Sequence, residues 1–213
     1  MKLAIIGATG FVGSAVLQEA LQQGHDVTAI VRHPEKLAVH PSLTAKAVSV
    51  FDEAALADVL RGHDAVISAY NPGWTNPNIQ SQMIEGSAHI VNATKQAKVP
   101  SLLVVGGAGS LEVAPGVQLV DTPQFPAEWK EGALGAREVL NQLKNEKELN
   151  WRFISPAVFL EPGKRTGQFR YGDDAVLFND DQPARISVED LAVAIVEEIA
   201  APRYNQRRFT VAY

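Results

Sequence analysis

Three observations predict a doubly wound α/β domain built on a parallel sheet. Short apolar runs alternate with helical stretches from the first residues, several of those runs are rich in β-branched residues, and a glycine-rich turn separates the first run from the first helix. Strand–helix–strand repetition demands parallel pairing. Right-handed crossovers then cover both faces of one open sheet with helices.

Lys2 to Ile6 reads as a buried strand, and Phe11, Val12, Val16, Leu17, Ala20 and Leu21 supply the apolar face of a helix that Gly24 stops. Val27 to Val31 is the second strand and Ala45 to Val50 the third. Asp52 is placed to cap a short helix that runs to Leu60 and closes at Gly62, before a fourth strand at Ala65 to Ala69. A longer helix follows from Asn78 to Lys98, Pro100 breaks it, and Leu102 to Val105 is the fifth strand. Beyond these come a helix from Ala127 to Asn145, a strand Trp151 to Ser155, a helix Val188 to Ala200 and a final strand Phe209 to Val211. Only Pro156 to Arg185 departs from the alternation. It is rich in Gly, Pro, Asp and aromatics, holds short extended pieces at Phe169 to Tyr171 and Val176 to Phe178, and reads as a small C-terminal lobe on the substrate side. No repeat or linker divides the chain, so residues 1–213 read as one domain.

A chain of 213 residues buries about 70% of its surface on folding, enough for a core without staples. Hydrophobic residues are 46% and charged residues 20%, the balance of an ordered protein. The absence of cysteine excludes disulfides, thiolate metal sites and cysteine nucleophiles. The N-terminus has one cation and too short an apolar run for a signal peptide, and no segment approaches the ~18 apolar residues of a membrane span, so a cytoplasmic protein with no membrane partner is expected. With 19 basic and 24 acidic side chains the formal charge is −5, and no basic cluster stands beside stacking aromatics, which argues against nucleic acid as a ligand. His25, His33, His40, His63 and His89 never fall at the spacing of a helical ligand pair, so no metal site is expected.

Gly7, Gly10 and Gly13 stand at i, i+3 and i+6 after the first strand and open the first helix. The first permits a tight turn, the second lets a pyrophosphate approach the backbone, and the third lets helix and strand pack closely. Free amides of Thr9, Gly10, Phe11 and Val12, together with the positive helix end, would hold the anion. At the end of the second strand, where an acid would accept from the ribose hydroxyls of NAD, the chain has Arg32. A guanidinium suits a 2′-phosphate, so NADP(H) is expected over NAD(H). Asp52, after the third strand, has two readings: an acceptor for the adenine amine, or the cap of its helix.

With these motifs the chain resembles the atypical short-chain dehydrogenase/reductase proteins, in particular the NAD(P)H-binding group of assigned NADH-flavin reductases related to biliverdin reductase B and NmrA-like proteins. Besides Gly7 to Gly13, the resemblance rests on Val31-Arg32, Ser68-Ala69-Tyr70, Val105-Gly106-Gly107-Ala108-Gly109-Ser110, Ser155-Pro156-Ala157 and Pro162 to Gly167, in that order along nearly the whole chain. It implies that Ser68, Ala69, Gly106, Ser155 and Pro156 border the cofactor, and that Ser110 is an active-site serine able to hydrogen-bond an acceptor.

Carbonyl-reducing members of that superfamily use Tyr-x-x-x-Lys, in which the lysine lowers the pKa of the tyrosine that protonates the alkoxide. Tyr70, Tyr171 and Tyr204 are followed at i+4 by Trp74, Ala175 and Arg208, and Tyr213 is the last residue. That acid is missing. Flavins and quinones relax the need for it, because the incoming electrons are delocalised and solvent can supply the proton. The expected function is therefore hydride transfer from NADPH to a flavin, quinone or similar planar acceptor, with Tyr70 at the carboxyl end of the fourth strand and Trp74, Trp129, Phe159 and Phe169 as candidate walls. The alternative is a non-catalytic NADP(H)-sensing regulator of the NmrA-like type. An isomerase or epimerase that retains its nicotinamide would also want a proton-transfer residue absent here, and a hydrolase lacks its Gly-x-Ser-x-Gly elbow.

Overall fold

Burial on both faces of a parallel sheet asks for continuous aliphatic strands, and the runs at Lys2–Ile6 (β1), Asp26–Val31 (β2) and Ala65–Ser68 (β4) meet that demand. The computed structural model describes all residues from Met1 to Tyr213. Leu43–Ala47 (β3) and Ser101–Val105 (β5) complete the first half, linked by the helices Phe11–Gln22 (α1), Glu53–Leu60 (α2) and Ile79–Gln96 (α3). The second half opens with a hairpin, Glu112–Ala114 (β6) and Val117–Gln118 (β7), then Ala127–Asn145 (α4) and Asn150–Pro156 (β8). Short strands follow at Phe159–Glu161 (β9), Arg170–Gly172 (β10), Phe178–Asn179 (β11), Gln182–Pro183 (β12) and Arg185–Ser187 (β13), before Val188–Ala200 (α5) and Arg207–Ala212 (β14).

Eight strands form one sheet in the order β10-β14-β8-β5-β4-β1-β2-β3. Every neighbouring pair is parallel except β10 with β14. The chain runs outward from β1 to β3 and then crosses to β4, which leaves a crevice beyond the carboxyl ends of β1 and β4. Leu3 and Ile5 point to a core shared with α1 and α5, while Ala4 and Ile6 point to a second core under α2, α3 and α4. Two layers of helix therefore sandwich the sheet.

The predicted elements are recovered with three shifts. The third strand lies two to three residues earlier than predicted, because its register is set by β2, from Val27 against Leu43 to Val31 against Ala47. As an edge strand it buries little, so Val48 and Val50 beyond it pack against the helices and mimic a strand in the sequence. The long helix stops at Gln96, and Lys98 takes a left-handed φ of 56° that ends it. The segment from Pro156 to Arg185 is only partly a lobe of its own: β10 joins the main sheet, β9 pairs with β13, and β11 with β12 form a small hairpin.

Candidate functional site

Three glycines build the crevice, each for a different reason. Gly7 has a φ of 81°, and a Cβ there would lie 2.6 Å from the Ala69 carbonyl oxygen. A Cβ on Gly13 would lie 2.1 Å from the Gly7 carbonyl oxygen, so β1 and α1 can approach only without it. Gly10 is different: its nearest obstacle would be 3.3 Å away, and it faces solvent at the start of α1. The first two glycines are needed by the fold; the third leaves room.

That room lies over unspent donors. Gly10 begins α1 without a side-chain cap, and no acid stands in the first turn. The amides of Phe11, Val12 and Gly13 precede the first intrahelical bond, which Ser14 donates to the Gly10 carbonyl. By contrast, α2 is capped by Asp52, whose carboxylate accepts from the Ala55 amide at 3.1 Å, and α5 by Ser187, which accepts from Asp190 at 3.0 Å. The α1 terminus is left with positive potential and amides outside its own hydrogen-bond ladder, the chemistry that suits a pyrophosphate. Thr9 and Phe11 flank it, both exposed.

Arg32 leaves the carboxyl end of β2 exposed and enters no ion pair or hydrogen bond within the protein. Tyr70 stands just beyond β4 with its ring over Gly86 of α3, where a Cβ would collide at 2.5 Å. Its hydroxyl donates to the Gln82 carbonyl at 3.2 Å. Burial pushes its pKa up to about 12, with Arg32 opposing and Glu85 adding to the shift. The phenol therefore stays protonated and committed.

Other candidates fall into two groups. Ser68 closes β4, buried, and half-buried Ala69 follows, its amide donating to Ile6 and its carbonyl against Gly7. Gly106 follows β5 and lies half-buried, but the Phe153 ring fills the place of its Cβ, 1.9 Å from that position, so packing accounts for this glycine. Ser155 is fully buried, and Pro156 ends β8, also buried. The Ser155 hydroxyl accepts from Arg208 at 3.3 Å and faces the interior. For Asp52 the helix cap is the geometry observed. Ser110 is 3% exposed on the turn after β5, and its hydroxyl also accepts from Arg208, at 3.2 Å.

Among the aromatics, Trp74 and Trp129 are 58% and 54% exposed. Trp74 lies over Gly132 of α4, where a Cβ would sit 2.5 Å from its ring, one helical turn from Trp129. Phe159 is exposed on β9. Phe169 does not join them: it packs edge-on against Tyr171, centroids 5.5 Å apart, on the α1–α5 side. Each histidine has a local partner of its own, such as Glu35 for His33 and Glu53 for His89. Sequence reasoning missed Arg208, because nothing in a final strand of alternating residues signals that a buried guanidinium will reach Ser110.

A parallel sheet whose switch point carries a glycine cradle, free amides and an acid-free helix terminus defines a Rossmann-like dinucleotide-binding protein. Residues 7–202 match the NAD(P)H-binding family, and the chain belongs to it. It is similar to the Bacillus subtilis protein YwnB, of uncharacterised function, with 38% identity over 99% of this chain and 98% of YwnB. Among solved structures, a candidate epimerase from Bacteroides thetaiotaomicron is 43% identical, with a TM-score of 0.94 over 100% of this chain and 96% of that one. A candidate NADH-flavin reductase from Streptococcus pneumoniae is 33% identical, with a TM-score of 0.88 over 100% and 99% of the two chains. These likenesses agree with the group the sequence resembles.

Proposed function

We propose that this protein is an NADPH-dependent oxidoreductase that delivers hydride to a flavin, quinone or similar planar acceptor. The observation that carries the reading is a formed phosphate cradle beside an edge without a proton-donating tyrosine. Tyr70 is spent on Gln82 and titrates near 12. Tyr171, Tyr204 and Tyr213 belong to the β10–β14 side of the molecule.

The glycine loop fits the pyrophosphate by the two tests the structure offers, side-chain clearance at Gly10 and unpartnered amides at Phe11 to Gly13. Arg32, free of any acid, would bind the 2′-phosphate, and Ser68 and Ala69 would border the cofactor from β4. When bound, the reduced nicotinamide supplies a hydride with two electrons to the acceptor and is left as its oxidised cation, while a solvent proton completes the reduced acceptor. Trp74, Trp129 and Phe159 offer flat apolar surface for stacking, and Ser110 a hydroxyl for an acceptor oxygen. Positioning would then supply most of the rate. The similarity to an NADH-flavin reductase supports this reading, and placement in the cytoplasm goes with its use of an intracellular cofactor. No helix is long and apolar enough to cross a membrane.

The epimerase likeness carries less weight, because an epimerase moves protons through a placed acid or base, and this edge presents none besides the committed Tyr70. A non-catalytic sensor of NADP(H) is not favoured by any feature of the site. Steady-state assays with FMN, riboflavin and a panel of quinones decide the matter: saturable oxidation of NADPH is expected, with simple ketones poor. Background rates with every planar acceptor, in protein shown to bind NADPH, would overturn the proposal in favour of the sensor.

A further inference from the structure

Beneath the turn that carries Ser110 lies a polar centre that the strand pattern does not require. Arg208 enters it from β14, 5% exposed, on the face it shares with Thr210, Phe153 and Ser155. Its Nε donates to Asp174 Oδ1 at 2.8 Å, its Nη1 to the hydroxyls of Ser110 and Ser155, and its Nη2 to the carbonyls of Ser110 at 3.4 Å and Asp174 at 3.3 Å. One guanidinium thus joins β14, β8, the turn after β5 and the segment that precedes β11.

Hydrogen-bond polarity decides what this knot can do. A guanidinium has donors and no acceptor, so the oxygens of Ser110 and Ser155 must accept from it. Each hydroxyl hydrogen is then left over, with no acceptor in the protein. Thr210 Oγ1, in register beside Ser155, is buried with no partner at all. The hydroxyls of the set find no acceptor among one another, and an unpartnered buried polar group is costly until a partner arrives. Ser155 and Thr210 are sealed at 0% and 1% exposure. Ser110, 3% exposed, is the member of the set on the turn that leaves the carboxyl end of β5, the edge at which an open parallel sheet binds its ligands.

We propose that Arg208 is a positioning residue for hydride transfer: it occupies the Ser110 oxygen from behind, so that the hydroxyl hydrogen is offered to a carbonyl oxygen of the planar acceptor. The guanidinium also places positive charge behind the oxygen that meets the developing anion. Ser110 touches the acceptor; Arg208 acts through it. Together they take over the charge-stabilising part of the absent tyrosine–lysine pair, while the proton itself comes from water. This inference rests on the acceptor reading proposed above.

The test is a double-mutant cycle on kcat/KM for the acceptor, using Ser110→Ala, Arg208→Met and the two combined, with the NADPH Kd from calorimetry and the melting temperature measured on each protein. Loss of one such donor costs about 10²–10³-fold in kcat. Each single variant is expected to fall by roughly that factor in kcat/KM, the double no further than either single, and the NADPH Kd to stay within about twofold. Arg208→Lys should restore only part of the loss, since a point charge cannot hold both serines. Where Arg208→Met does not fold, Asp174→Asn loosens the same guanidinium through a carboxylate that is 63% exposed, and a selective loss of kcat/KM for the acceptor is expected. Multiplicative losses in the cycle, or an Arg208 or Asp174 variant that folds and turns over the acceptor like the parent, would overturn the Arg208 role and leave the oxidoreductase reading standing. A parent protein without saturable turnover of any flavin or quinone would overturn both.

Discussion

The half of the molecule before Gly106 and the half after it are held together by different physics. Before Gly106, β1 to β5 and α1 to α3 follow one another in a regular order, and the buried residues are almost all aliphatic. After it, four of the five buried charged residues appear: Arg152, Asp190, Glu198 and Arg208, with Glu19 as the one in the first half. Even Glu19, which accepts from Gln23 nearby, takes its cation from the second half, in a paired contact with Arg165 at 2.7 and 2.8 Å. Regular burial builds the half that carries the glycine turn and the unpaired guanidinium of Arg32. Paired polar groups build the other half, where irregular chain must be fastened at chosen points.

The largest effect is expected where that fastening is deepest. Arg152 and Glu198 meet at 3.0 Å with 1% and 0% of their side chains exposed, and Arg152 also donates to Ser101 Oγ and the Tyr204 carbonyl. Arg152→Met strands the carboxylate and should cost about 3–5 kcal/mol in chemical denaturation, while Arg152→Met with Glu198→Leu should recover most of it. A single variant as stable as the parent would break the contrast between the halves.

In the cofactor half the expected losses are of affinity rather than stability. Arg32→Ala should weaken NADPH binding by about 1.5–3 kcal/mol, roughly ten- to over a hundredfold, and leave NADH binding and the melting temperature unchanged. Equal parent affinities for the two cofactors, measured by calorimetry, would contradict the preference for NADPH. The glycines sharpen the point. Gly13→Ala drives a methyl against the Gly7 carbonyl and should destabilise by about 1–3 kcal/mol, whereas Gly10→Ala meets nothing closer than 3.3 Å and should fold normally with cofactor affinity reduced roughly tenfold.

Tyr70→Phe removes one hydrogen bond to Gln82 and should cost about 0.5–1.5 kcal/mol. Because the phenol titrates near 12, the pH–rate profile from about pH 6 to 9 should not move; a lost basic limb would show Tyr70 to be an acid after all. Acid should act on the buried carboxylates that fasten the second half. Arg165 holds the Glu19 carboxyl below its ordinary range, and although burial opposes it, donors from Thr166, Gly167 and Tyr213 hold Asp190 below its own. Carboxylates depressed in the fold add stability that is full above their unfolded values, about 4.3 and 3.9, and is lost as pH falls through the lower folded ones. Arg165→Gln should therefore shift the acid-unfolding midpoint upward and leave stability near neutral pH the less dependent on Glu19.

Much of this was legible in the residues alone. The strand and helix periods of the first half, the exact bounds of Val188–Ala200, the glycine turn after β1, the Asp52 cap and the place of Arg32 at the end of β2 are local matters, decided by side-chain period, capping chemistry and backbone clearance within a few residues. Pairing across the chain is not local. That β3 slides back to match β2, that β10 turns antiparallel to close the sheet edge, and that Phe153 claims the space above Gly106 depend on partners many residues away. Ser155 and Ser110 show the same limit: both sit where their motifs put them, yet the direction of each hydroxyl is decided by Arg208, 53 and 98 residues further on. A sequence determines which groups want hydrogen bonds; only the folded chain decides which of them are left with a hydrogen to give.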